Sequence, residues 1–227
     1  MRFLIVDDHP LFREALENCI RQAVRDVEIV EAATINGALD ALSCGGIDLT
    51  LFDLSLPGTT GLSGLIRLRR AFPATPIIVI SCHKDPLIVA SGLFLGASGY
   101  IPKTASKREV VRSIHEVLRG SIHFPSCCRN AVVPDRFKHH PVKGLLKRLH
   151  ELTPQQLRVL ELMHRGFQNK QIAYELKICE STVKVHVSEI LRTLNVASRA
   201  RAIVEMSKID FTSLAGSEKG LRIQVSA

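Results

Sequence analysis

Asp7 and Asp8 follow four apolar residues in "FLIVDDHP", Asp53 closes "LTLFD", Ser81 closes "PIIVIS" and Lys103 ends "GYIPK". Adjacent carboxylates repel, and an ionised carboxylate at the end of a buried strand needs a partner. An Asp-Asp pair by itself reads first as a solvated strand end. Three carboxylates brought together read differently, because a hard divalent cation with oxygen ligands relieves their repulsion. Mg²⁺ takes a few carboxylates and keeps its other positions for water and phosphate oxygens. A lone lysine and a lone serine beside it are then suited to hold a phosphoryl group.

Such a site exists only if the chain gathers these residues. Between Met1 and Gly120, five short apolar runs ("FLIV", "VEIVEA", "LTLFDL", "PIIVIS", "SGYIP") alternate with segments of helical spacing at 11–24, 36–43, 62–71, 85–95 and 106–118. Near-continuous apolar strands separated by helices predict an α/β fold with a doubly wound, five-stranded parallel sheet. Ligands of such sheets bind outside the carboxyl ends of the strands, where the winding reverses. That rule brings Asp7, Asp8, Asp53, Ser81 and Lys103 to one edge.

These residues, in this order, resemble the flavodoxin-like receiver domain of two-component response regulators over about residues 1–120. The resemblance implies that Asp53 accepts a phosphoryl group from a histidine kinase. It implies Mg²⁺ as cofactor, held by Asp8 directly, Asp7 mainly through water, Asp53 and the backbone carbonyl of Ser55. Lys103 would pair with the phosphoryl oxygens, Ser81 would swing in to bond one of them, and Tyr100 would be the aromatic that turns inward in response. Phosphoryl transfer of this kind needs in-line positioning and charge neutralisation more than a general base. An aspartyl-phosphate phosphatase would place a second Asp two residues after the nucleophile; Ser55 stands there, which argues against an enzyme of that class. Gly58, Gly61 and Gly64 match neither phosphate-loop spacing and read as a turn and a helix start.

The charge is unevenly spread. Of the formal +8, residues 1–120 contribute nothing (13 Lys+Arg against 13 Asp+Glu), residues 121–150 hold 6 against 1, and residues 151–210 hold 9 against 7. A basic half joined to a neutral half predicts a polyanionic partner for one domain only. No apolar run is long enough to span a bilayer, and the N-terminus has no signal-peptide pattern, so a cytoplasmic location without membrane contact is expected. Six scattered cysteines read mostly as small buried hydrophobes. Cys127 and Cys128 with His139 and His140 do not have structural-zinc spacing.

Residues 121–147 read as a basic linker and 148–210 as an all-α domain of four helices, followed by a tail, 211–227, without an assigned role. "LTPQQ" predicts a helix with Thr153 as N-cap and Gln156 closing a capping box. Asn169 and Ser181 read as caps of the next two helices, which make a helix-turn-helix whose second member enters the major groove. On that helix Val183, Val187, Ile190, Leu191 and Leu194 should face the core, leaving Lys184, Val185, Ser188 and Arg192 for DNA.

"NKQIA" and "STVKVHVSEIL" resemble the LuxR/FixJ-type DNA-binding domain, so that the two domains together are similar to response regulators of the NarL/FixJ family, the tail having no clear counterpart. The resemblance implies that Lys184 and Val185 reach bases and that Thr182, Lys170 and Arg192 lie nearer phosphates. It further implies a fourth helix at about 198–206 that serves as a dimer contact, with Ser198, Arg199 and Ile203 as candidates. In the first domain, exposed-looking Leu87, Ile88 and Leu93 are the candidate dimer residues, on a face of the fourth helix and fifth strand, with the first and fifth helices as the alternative face. Two departures stand out: Ser188 where a basic residue is common, and Lys177 where a Gly commonly ends the helix. The expected protein is a double-stranded-DNA-binding response regulator whose phosphorylation at Asp53 controls homodimerisation and promoter binding. The alternative is a regulator that uses the receiver only to dimerise.

Overall fold

The computed structural model describes residues 1–59, 62–123 and 141–207. Strands β1 (Arg2–Val6), β2 (Glu28–Ala32), β3 (Leu49–Asp53), β4 (Ile77–Ser81) and β5 (Gly99–Pro102) form one parallel sheet in the order β2-β1-β3-β4-β5. Helices α1 (Pro10–Ala23), α2 (Ile35–Ser43), α3 (Ser63–Ala71), α4 (Pro86–Phe94) and α5 (Lys107–Leu118) connect and flank them. Successive strand residues point to opposite faces, so the apolar runs feed two layers at once. Phe3, Ile5, Leu51, Ile80 and Ile101 pack with Leu16, Ile20, Ile114 and Val117 of α1 and α5. Leu4, Val6, Phe52, Val79 and Tyr100 face α2, α3 and α4. The expected α/β architecture and strand assignments hold.

Local chemistry sets the helix starts. Thr34, Asp85 and Ser106 each accept a backbone N–H of the first turn of α2, α4 and α5. One glycine is required by packing: a Cβ on Gly64 would lie 2.8 Å from Cζ of Phe52, so only glycine lets α3 sit this close to the strand that ends in Asp53. Gly58, at φ +79, makes the turn ahead of α3 as expected, while Gly61 lies outside the described residues.

The second domain is built from α6 (Pro141–Glu151), α7 (Pro154–His164), α8 (Asn169–Leu176), α9 (Glu180–Leu194) and α10 (Arg199–Ser207). Helix α6 crosses the expected linker boundary at 147, because Leu145, Leu146 and Leu149 are buried in this domain's core. The Thr153–Gln156 capping box forms. The next two caps differ from expectation. Gln168, boxed with Gln171, caps α8 in place of Asn169, and Cys179 precedes α9, which begins one residue before Ser181. Lys177 adopts the left-handed conformation (φ 53, ψ 45) that its position suggested.

The two domains meet along α3 and α7. Arg67 of α3 and Glu161 of α7 are both buried, with Nη1 3.9 Å from Oε2, and Arg67 also donates to Oδ1 of Asn36 at 3.2 Å. Burial lowers the Arg67 pKa and raises that of Glu161, whose charge is supported by Ser63 and by Arg67 itself. Beside this seam Lys143 lies over the ring of Phe94, 5.8 Å from its centre.

One expectation, that the cysteines are mostly buried, needs correction. Cys44, Cys82 and Cys179 are exposed, and only Cys19 is buried among the described cysteines, because the other three sit at helix ends or in loops. Cys127, Cys128, His139, His140 and the tail lie outside the described residues. Among the described residues no helix is long and apolar enough to cross a membrane.

Candidate functional site

Strand register builds the first site. Val6 is paired with Phe52, Asp53 with Ile80 and Ser81 with Pro102, so the next residue or the last residue of four strands reaches the same edge. Asp7, Asp53 and Ser81 are buried there, and Lys103 Nζ lies 2.7 Å from Asp7 Oδ2 and 2.8 Å from Asp53 Oδ2. The Ser55 N–H donates to Asp53 Oδ1 at 3.0 Å. Burial pushes the Asp53 carboxyl above its ordinary pKa; Lys103 and the Ser55 N–H pull it down, and Asp7 adds to the rise. Burial also works against the Lys103 ammonium, but its bonds to Asp53 and Asp7 outweigh that and hold its pKa above the ordinary value.

One ligand atom from each of Asp7, Asp8, His9 and Asp53 lies within 4.8 Å of the others. Three carboxylates of this density, with Asp8 partly open to solvent, fit the oxygen-donor set of a hard divalent cation. The residues brought together from sequence are thus Asp7, Asp8, Asp53, Ser55 and Lys103. Ser81 is buried nearby, where its Oγ accepts the His83 N–H at 3.2 Å. Tyr100 is fully buried, and its hydroxyl donates to the His83 carbonyl at 2.9 Å. Both therefore hold opposite groups of one residue in the β4–α4 loop.

Three neighbours escaped sequence reasoning. His9 places Nδ1 2.8 Å from Asp8 Oδ1 and 3.1 Å from Asp7 Oδ1. Arg13 donates to the Asp7 carbonyl at 2.8 Å, and the Phe12 ring lies under Lys103. All three fall in "HPLFR", within a turn of the acids, and that proximity was the available signal.

On the second domain, Val183, Ile190 and Leu194 are buried, and Val187 and Leu191 are partly buried against the same core. Thr182, Lys184, Val185, Ser188 and Arg192 are exposed on α9, as is Lys170 on α8. Val185, at 60% exposure, is an uncovered apolar group between Lys184, 3.2 Å from Glu180, and Arg192, 2.5 Å from Glu189. Such exposed pairs are weak and exchange readily for phosphates. The Ser188 hydroxyl donates to its own helix at the Lys184 carbonyl, 3.0 Å away. This face of α9 is exposed although the first domain is docked on α7.

The candidate dimer residues fare unevenly. Ser198 is exposed and Ile203 is partly buried. Arg199 is engaged inside its own domain, donating to Asn169 Oδ1 at 3.0 Å and to the Phe167 carbonyl, so it ties α10 to the turn before α8. Ile88 is buried, and Leu87 and Leu93 pack partly on the core. Helix α4 is apolar nearly all round, so sequence pattern could not tell its outer face; Phe94 is the large apolar side chain it exposes.

Residues 3–115 match the response regulator receiver domain, and residues 150–206 match the luxR family of bacterial regulatory proteins. The glycerol metabolism activator of Pseudomonas putida is 40% identical over 215 residues, covering 93% of this chain and 97% of the relative. The nitrate/nitrite response regulator protein NarL of Escherichia coli (strain K12) is 29% identical over 201 residues, covering 88% and 92%. The RcsB response regulator of Salmonella typhimurium shares the fold, with a TM-score of 0.54 at 22% identity over 92% of this chain and 98% of that one.

Proposed function

The chain belongs to the NarL/FixJ family of DNA-binding response regulators, and on that premise we propose that phosphorylation of Asp53 by a histidine kinase controls its homodimerisation and its binding to promoters. The observation that carries this reading is the pair of carboxylates, Asp7 and Asp53, bridged by one ammonium at the edge of the sheet.

Asp53 is the nucleophile: a carboxylate oxygen attacks phosphorus, an O–P bond forms, and the bond to the donor histidine nitrogen breaks. Lys103 then exchanges its bond to the Asp53 carboxylate for one to a phosphoryl oxygen, which keeps its charge paired throughout. Asp7, Asp8, Asp53 and the Ser55 carbonyl would hold Mg²⁺, which supplies charge neutralisation at the phosphoryl oxygens. Ser81 offers its hydroxyl to the same group. Drawing Ser81 inward changes its hold on His83, and Tyr100 feels this through the His83 carbonyl.

On DNA, Lys184 and Val185 read bases, the valine suiting a thymine methyl, while Lys170, Thr182 and Arg192 contact phosphates. A single small module binds weakly, and pairing two raises their effective concentration. The name of the Pseudomonas putida relative supports activation as the output. A cytoplasmic location follows from this role.

One observation favours the second reading, in which the receiver only dimerises: Tyr100 is already inside. Intact mass after incubation with a small acyl phosphate and Mg²⁺ separates the two. Gain of one phosphoryl group by the wild type, absent in Asp53→Asn, supports the switch; no gain in folded protein supports the constant module.

A further inference from the structure

The Lys103 ammonium has three N–H donors, and its side chain is 12% exposed. Two carboxylate oxygens, from Asp7 and Asp53, lie within 2.8 Å. On another side stands the ring of Phe12, with its centroid 4.6 Å from Nζ. That is the distance at which an ammonium is drawn to the negative face of an aromatic ring, and the attraction grows as water is excluded.

Behind the ring lies a cavity of about 390 Å³, whose walls include Phe12, Leu16, Ile80, Ile101 and Val110 as well as Lys103 itself. Most of the wall beside the ammonium is hydrocarbon, although Asn18 and Lys107 also line the cavity. Of these lining groups, the Phe12 ring is the one whose face meets the charge directly. The partners of Lys103 also differ in permanence. Its bonds to carboxylates must rearrange when charge on Asp53 moves outward to a phosphoryl group, whereas the ring contact does not depend on what Asp53 carries.

We propose that Phe12 is a positioning residue for Lys103, holding the ammonium over the acid site by the face of its ring and so setting the rate at which Asp53 is phosphorylated. The proposal rests on the reading of Asp53 as phosphoacceptor. Its geometric half, the ring under the ammonium, stands without that reading.

The test compares full-length wild type with Phe12→Leu, which keeps apolar bulk, and Phe12→Tyr, which keeps the ring. Lysine-labelled protein, free of metal and phosphodonor, is examined by NMR, with Lys103→Arg assigning the signal. The ε-methylene resonance of Lys103 should be shifted upfield by the ring in wild type and Phe12→Tyr, and should return to the ordinary position in Phe12→Leu. Phosphorylation by acetyl phosphate with Mg²⁺, followed by intact mass, should slow by about three- to tenfold in Phe12→Leu and stay within about twofold of wild type in Phe12→Tyr. Thermal unfolding confirms that each variant is folded. Wild-type rates in Phe12→Leu, an equal loss in Phe12→Tyr, or no upfield shift in wild type overturns the proposal. A wild type that takes up no phosphoryl group overturns the reading of Asp53 and with it the effect on rate, while the NMR signal still decides the contact.

Discussion

At the scale of single residues, the acid site trades stability for readiness. The Asp53 carboxyl is raised by burial, so between its unfolded and folded pKa values the native state binds more protons than the unfolded state. Its contribution to stability is therefore present at acid pH and is lost as pH rises through the folded value. Replacing it with a neutral isostere should remove that penalty. In metal-free protein, Asp53→Asn should unfold above wild type at pH 7, by roughly 2–4 °C for each relieved 1 kcal/mol. The gap should widen from about pH 4 upward as the wild-type carboxylate ionises, which a pH series of thermal scans would read. These acids and Lys103 were legible because each ends an apolar run, and the strand-end rule gathers them without knowledge of side-chain geometry. Phe12 was not legible, because an aromatic in the first turn of an amphipathic helix looks like any core residue until the lysine is placed over it.

Among the elements, the strands announced themselves by their short apolar runs, although β2 is only partly buried, but helix starts and faces did not. Asn169 and Ser181 are good caps by type, yet Gln168 and Cys179 hold the positions, since the turn before each helix decides which residue is extended. Helix α6 was hidden by its basic, proline-led surroundings, although Leu145, Leu146 and Leu149 carry a helical face. Lys177, by contrast, was legible from its place at a helix end. In the left-handed conformation its side chain costs about 1 kcal/mol relative to glycine, so Lys177→Gly should stabilise the domain by that amount in denaturant titrations. The helix-turn-helix yields a second expectation. Lys170→Ala should weaken binding about equally on all duplexes and lower the slope of log affinity against log salt by about 1. Lys184→Ala should in addition relax sequence preference, by about 1–3 kcal/mol at one base pair. Binding isotherms on matched and mismatched duplexes over a salt series distinguish the two roles.

Across the whole molecule, the α3–α7 seam joins Arg67, on the helix that packs through Gly64 against Phe52 of β3, to Glu161 of the DNA-binding domain. Arg67 and Glu161 are 94 positions apart, beyond the reach of any local pattern, and their burial is what the sequence could not announce. Burial outweighs attraction at both groups. Removing one partner strands the other, so Arg67→Met should destabilise the chain by about 3 kcal/mol, and the double variant with Glu161→Leu should recover most of that in thermal unfolding. With the seam closed, α9 still presents Lys184 and Val185 to solvent, so the receiver in this arrangement does not cover the face of α9 proposed to meet DNA. Control through pairing of two chains is consistent with that open face. Sedimentation velocity of the full chain with acetyl phosphate and Mg²⁺ tests it most directly. The wild type should move from monomer to dimer as it gains its phosphoryl group, while Asp53→Asn stays monomeric under the same conditions. A phosphorylated wild type that remains monomeric, or an Asp53→Asn variant that dimerises equally, would contradict it.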